Sequence, residues 1–184
     1  MPTHRRANVQ IVNETGERIR AVSIVHKYSD NYVNDHVWDT LEKGATSDPM
    51  QVDYNTGALT TGRDWWMVAW VSEDGSNLFY TNPHNLRAFV DVLENLATGA
   101  ASLVGTLVTS ESGGWGGAVG HAIVAPFVNN ASTSGFKQHI LRVEDSVTKI
   151  HLHRNEVTWV SPSGNSSTGV ATKAIPKTTK AAAA

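Results

Sequence analysis

The chain has 184 residues, 40% of them apolar and 17% charged, with a net charge of −2 and no cysteine. That length suffices for one domain with a real core. The charge balance leaves no electrostatic footprint for nucleic acid, and the missing cysteines exclude disulfides, thiolate metal sites and cysteine nucleophiles.

In chain order, residues 1–7 read as a loose basic leader without the apolar run of a signal peptide. Asn8 to Val12 reads as a short strand, Asn13-Glu14-Thr15-Gly16 as a turn, and Glu17 to Lys27 as the hairpin partner. Tyr28 to Asp39 reads as a polar loop carrying Tyr28, Tyr32 and Trp38. These rings either pin the loop to a core or form a ligand-facing rim. Met50, Val52 and Tyr54 alternate with Gln51 and Asp53, the pattern of a half-buried strand.

Asp64 to Phe79 follows, with Trp65, Trp66 and Trp70 among the six tryptophans of the chain. Trp65, Met67, Ala69 and Val71 share one strand face, and Trp66, Val68 and Trp70 the other, because side chains alternate with period two. Apolar residues on both faces predict a central strand covered above and below. Glu73-Asp74-Gly75-Ser76-Asn77 predicts the turn, and Leu78 to Thr81 the returning strand.

The period then changes. Asn82 as N-cap, Pro83 at the first helical position and an apolar stripe from Leu86 to Ala97 predict an amphipathic helix over Pro83–Ala97. Residues 100–128 carry no Lys or Arg and centre on a glycine-rich run around Trp115. They read as a helical or irregular insertion beside the sheet, or as a segment that lies on a bilayer through Trp115. Strands are expected again over Phe136–Val143, Val147–His153 and Glu156–Val160. The Ser/Thr/Gly/Lys/Ala-rich stretch 161–184 reads as a disordered tail.

Motifs with chemistry are sparse. His151-x-His153 puts two imidazoles on one strand face, but further ligands are not visible nearby, so the expectation is no metal. Asp53 and Asp64 flank a turn-rich link, and paired carboxylates could do acid–base work. Capping of loop amides accounts for them equally well. Neither a nucleophile elbow nor a phosphate-binding glycine spacing occurs.

The blocks VHKYSDNY (25–32), SDPMQVDYNTG (47–57), TTGRDWW (60–66) and GFKQHILR (135–142) resemble the PUD-type proteins. That small family, with nematode and fungal members, is named for up-regulation in long-lived nematode mutants. The resemblance spans about residues 7–160. It implies a β-sandwich similar to that of the aegerolysins, lipid-binding and sometimes cytolytic proteins, and dimers as in the nematode members. It implies no catalytic residue and no cofactor.

The expected fold is therefore mainly β: a two-sheet antiparallel sandwich over residues 8–160, with one amphipathic helix and a Gly/Ala-rich insertion at about 83–130. The expected function is non-enzymatic, with membrane lipid as partner and Tyr28, Tyr32, Trp38 and Trp115 as contacts. The alternatives are an interaction protein acting as a dimer and a carbohydrate-binding sandwich. Location is expected to be cytoplasmic, or secreted without a visible signal peptide.

Overall fold

A computed structural model of the chain describes residues 2–28, 32–57, 64–81, 115–129, 132–133 and 135–175. The strands are β1 (Thr3–Asn13), β2 (Ile19–Tyr28), β3 (Tyr32–Leu41), β4 (Met50–Thr56), β5 (Asp64–Val71), β6 (Asn77–Thr81), β7 (Lys137–Gln138), β8 (Val147–Leu152), β9 (Glu156–Ser161) and β10 (Gly164–Ala174). One helix, α1, covers Trp115–Val128. The helix expected over 83–97 lies outside the described residues.

The strands form one continuous ten-stranded sheet in the order β3-β2-β5-β6-β10-β9-β8-β1-β4, with β7 pairing β5 off this path. Its two end strands meet: the Asp53 N–H on β4 donates to Asn34 Oδ1 on β3 at 3.0 Å. The sheet is thus nearly closed, like a barrel, where two separate sheets were expected. β10 makes the difference. It pairs β9 over Gly164–Gly169 and β6 over Val170–Ala174, and so joins the two halves. The ladders are antiparallel except β1–β8, which is parallel.

β5 is central, as its two-faced pattern predicts. Trp66, Val68 and Trp70 point into the barrel with Val9, Ile11, Ile24, Ile150 and Trp159. Met67, Ala69 and Val71 point outward into a second core with Val119, Ile123 and Val124 of α1. The β5–β6 turn has Gly75 at φ 71°, where a side chain would be strained.

α1 is apolar almost all round because it is wedged onto β2 and β3. A Cβ on Gly116 would lie 2.1 Å from the Asp39 backbone oxygen, and one on Gly120 2.3 Å from Val37 Cγ1. Only glycine allows that approach. Asp39 also supplies the cap: its Oδ1 accepts the Gly117 N–H at 2.8 Å. Among the described residues no helix is long and apolar enough to cross a membrane.

Five local expectations are corrected. Residues 3–7 are no loose leader but the first half of β1, paired with Val52–Thr56. β1 does not form a hairpin with β2. Asn13 Nδ2 reaches the carbonyls of Glu17, Leu41 and Glu42, and the chain turns away to the opposite wall. The expected loop 28–39 is largely strand β3, with Asp35, His36 and Thr40 exposed and Asn34 half-buried. The expected strand 136–143 is regular only at Lys137–Gln138. Residues 164–174 of the expected tail form β10, held by ladder bonds rather than by apolar burial.

Candidate functional site

Two of the four rings expected to meet a ligand are interior. Tyr28 and Trp38 are 3% and 9% exposed, so neither offers a contact face. Tyr32 is partly buried, its ring 6.1 Å from Tyr28 and 5.3 Å from His4. Burial of large rings outweighs any rim role at these positions. Trp115 begins α1, and its side chain lies outside the described residues. Trp66, Trp70 and Trp159 are buried as well.

The chemically richest place is a buried polar network at one end of the barrel, where β2 ends, β5 begins and segment 139–146 crosses. Asp64 is its acceptor. Its Oδ1 lies 2.9 Å from His26 Nε2, and its Oδ2 accepts the Leu141 N–H at 3.0 Å. His26 Nδ1 lies 3.3 Å from Asn34 Oδ1, so both ring nitrogens face acceptor oxygens. Asn34 leads to Asp53, whose Oδ1 also meets His4 Nε2 at 2.9 Å and Arg6 Nε at 3.1 Å. Asp53 and Asp64 are therefore linked through Asn34 and His26, each with separate partners, and do not form a paired-carboxylate centre. Partial burial pushes Asp53 up, but bonds from Arg6, His4 and Asn34 outweigh it and hold the carboxyl below the usual range.

The other half of the network hangs on segment 139–146. The His139 N–H donates to the Asp64 carbonyl, and the His139 carbonyl accepts Trp66 Nε1–H at 2.9 Å. Its ring lies 2.7 Å from Ser161 Oγ and 2.8 Å from Ser166 Oγ, and Ser161 also bonds Thr148 Oγ1. Burial lowers the basicity of His139; the Asp145 and Asp64 charges oppose that, and Lys137 adds to it. Asp145 caps the next turn, accepting from Arg142 N–H, Ser163 N–H and Ser163 Oγ–H. Tyr54 donates to the Arg142 and Asp145 carbonyls, and burial first, then the Asp145 charge, raises its phenol.

An acid–base or nucleophilic site needs a reactive atom with a free lone pair and room for a substrate. Here both carboxylate oxygens of Asp64 and both ring nitrogens of His26 and His139 are engaged within the protein. The arrangement fixes segment 139–146 across the barrel end. Outside the barrel, Glu14 Oε2 sits 3.2 Å from both His151 Nδ1 and His153 Nε2, which accounts for that pair as a surface polar cluster. Among the described residues no group of three or more His, Asp or Glu side chains could hold a metal ion.

Sequence reading singled out Asp53 and Asp64 but not His26, Asn34, His139 or Asp145. A usable signal existed: His26 interrupts the apolar run Ile24-Val25, and His139 precedes Ile140-Leu141. Both fall within the blocks that carried the resemblance.

A family model described as Up-Regulated in long-lived daf-2 matches residues 3–170. The chain belongs to this PUD family. The match takes in all of β1 and the first part of β10, so the PUD unit includes both segments that composition alone read as loose ends. No curated protein matches the sequence.

Proposed function

We propose that this PUD-family protein is a non-enzymatic interaction protein whose barrel is a rigid scaffold and whose outer surface makes the contacts. The observation that carries this reading is where the aromatic surface goes. Trp38, Trp66, Trp70 and Trp159 are interior, and Trp65 is half-buried beneath the α1 side of the sheet. Lipid- and sugar-binding sites commonly present rings at the surface, where one end stays wet. The lipid reading that follows from the aegerolysin resemblance gains no support from these rings. The saturated polar network speaks against catalysis in the same way. Dimers, implied by the family resemblance, are the first assembly to look for.

The test sets the readings side by side. Vesicles of neutral, anionic and sphingolipid-containing composition are sedimented with the protein, and light scattering reads its mass from micromolar to hundred-micromolar concentration. No retention by any vesicle, with a mass above that of one chain, is the expected result. Retention by one lipid mixture would replace this reading with lipid binding. A monomer at every concentration that binds no vesicle would remove the dimer.

A further inference from the structure

The barrel wall is not continuous beside β5. β6 pairs β5 at Ala69–Val71, and β7 pairs it at Trp65–Trp66. β10 pairs β6 only from Val170 onward. Over Gly164–Gly169 no strand among the described residues pairs the edge of β10 opposite β9. Among the described residues, His139 spans the gap between the β7 side and β10, and Asp145 fastens the far end of the same segment to the β9–β10 turn through Ser163. His139 holds β5 with its main chain, at Asp64 and Trp66, and reaches β9 and β10 with its ring, at Ser161 and Ser166.

We infer that His139 is an acid-sensitive latch, and that protonating its ring releases the start of segment 139–146 from the β9–β10 hairpin and opens this side of the barrel, while Asp145 keeps the far end of the segment on Ser163. A neutral imidazole suits the site, donating to one hydroxyl and accepting from the other. A second ring proton brings a charge into a place only 5% exposed. The ionisable groups around the ring are Asp64 on β5, Asp145 at the end of the segment and Lys137 on β7. Both ring nitrogens face serine hydroxyls, so the new N–H meets no carboxylate directly. Asp64 is bonded to His26 and Leu141, and Asp145 to Arg142 and Ser163. Lys137 adds repulsion. Burial therefore keeps the closed ring a weaker base than a free imidazole, whereas a ring swung into water regains its ordinary basicity. At pH 7.5 both states are chiefly neutral and the latch is shut. Acidification through the ordinary imidazole range favours the open state, and the effect levels off once the closed ring also protonates.

The experiment is hydrogen exchange of the full chain between pH 7.5 and 5.0, each amide corrected for its intrinsic pH dependence. The ring Cε1–H shift of His139 is followed by NMR in the same samples. If only the open ring protonates, its population rises by at most about 30-fold at pH 5.0, from a free pKa near 6.5. Exchange in residues 139–141 is expected to accelerate by roughly threefold to 30-fold, while β1, β4 and β8 stay protected, and His139→Gln is expected to abolish the acceleration. Unchanged protection in the segment, an equal acceleration in the variant, or simultaneous loss across all strands would overturn the latch. Should His139→Gln fail to fold, the parent protein decides. A ring midpoint at or above that of free histidine, or one that does not track segment opening, refutes the inference.

Discussion

The Asp64–His26 pair offers the sharpest test of the buried network. Asp64→Ala removes the acceptor of two donors at once, the His26 ring nitrogen at 2.9 Å and the Leu141 N–H at 3.0 Å. The pair is sealed, with side chains 0% and 2% exposed, so water cannot replace the lost oxygens without opening the barrel end. An orphaned buried donor costs about 1–3 kcal/mol, and a buried pair broken on one side about 3–5 kcal/mol, so a loss of about 4 kcal/mol is expected. With a urea slope of about 2 kcal/mol/M, the midpoint should fall by about 2 M, read by tryptophan fluorescence. His26→Leu alone should cost a similar amount, since it leaves Asp64 Oδ1 buried without its partner. The double variant His26→Leu/Asp64→Leu should lose less than the sum of the singles by about 1–3 kcal/mol, leaving chiefly Leu141 N–H unsatisfied. An Asp64→Ala midpoint within 0.3 M of the parent, an order-of-magnitude threshold of about 0.6 kcal/mol at that slope, or strict additivity, would refute the view that these groups form one coupled network.

Further outcomes follow from the packing. Trp70, 1% exposed and stacked on Phe79 at 5.5 Å, should cost about 3–5 kcal/mol on replacement by Ala, and an unchanged denaturation midpoint would overturn the two-faced reading of β5. Gly116→Ala drives a methyl into the Asp39 carbonyl and should destabilise by about 1–3 kcal/mol, whereas Gly117→Ala meets open space and should be neutral or better; equal thermal midpoints for the two would remove the wedge argument. Asp53 is held below the usual carboxylate range, so its contribution is complete above its unfolded pKa near 3.8 and disappears as pH falls through the lower folded value. Asp53→Asn should therefore flatten stability against pH below about 4, and an acid limb identical to the parent's would contradict the pairing with Arg6 and His4. Elemental analysis of protein purified without chelator should show less than a tenth of a zinc or calcium per chain, an order-of-magnitude bound given the incomplete ligand set.

What could be read from the residues, and what could not, divides along a physical line. The faces of β5 were legible because Trp, Met and Val at period two can satisfy only one geometry, and the Asp74-Gly75 turn because glycine takes its positive φ without strain. β8 and β9 were placed to within a residue for the same reason. β10 was not, because Gly-Asn-Ser-Ser-Thr-Gly-Val-Ala-Thr-Lys-Ala buries little and is stabilised by bonds to β6 and β9, which no local pattern encodes. The pairing of β1 with β4 and β8 joins segments far apart in sequence, so a plausible local hairpin displaced it. The aromatic residues at the end of β2 and in β3 illustrate the same limit. Composition shows that Tyr28 and Trp38 are large rings in a polar run, but only the closed barrel decides that they point inward. The network was invisible for a further reason: Asp64 finds His26 38 residues away and Leu141 77 residues away, and only the assembled barrel brings the three together.

The hand-over of β10 from β9 to β6 also bears on how the chain folds. The halves β3-β2-β5-β6 and β9-β8-β1-β4 can each form early, but among the described residues they share no other bridging strand, and β10 comes last in the described order. Closure therefore waits on contacts of long sequence separation, the slow class of folding event. Until then, β6 and β9 each carry an unpaired edge able to template another chain. A chain shortened after Ser161, as its composition would invite, would hold that half-built state permanently, and it should aggregate rather than merely lose a tail.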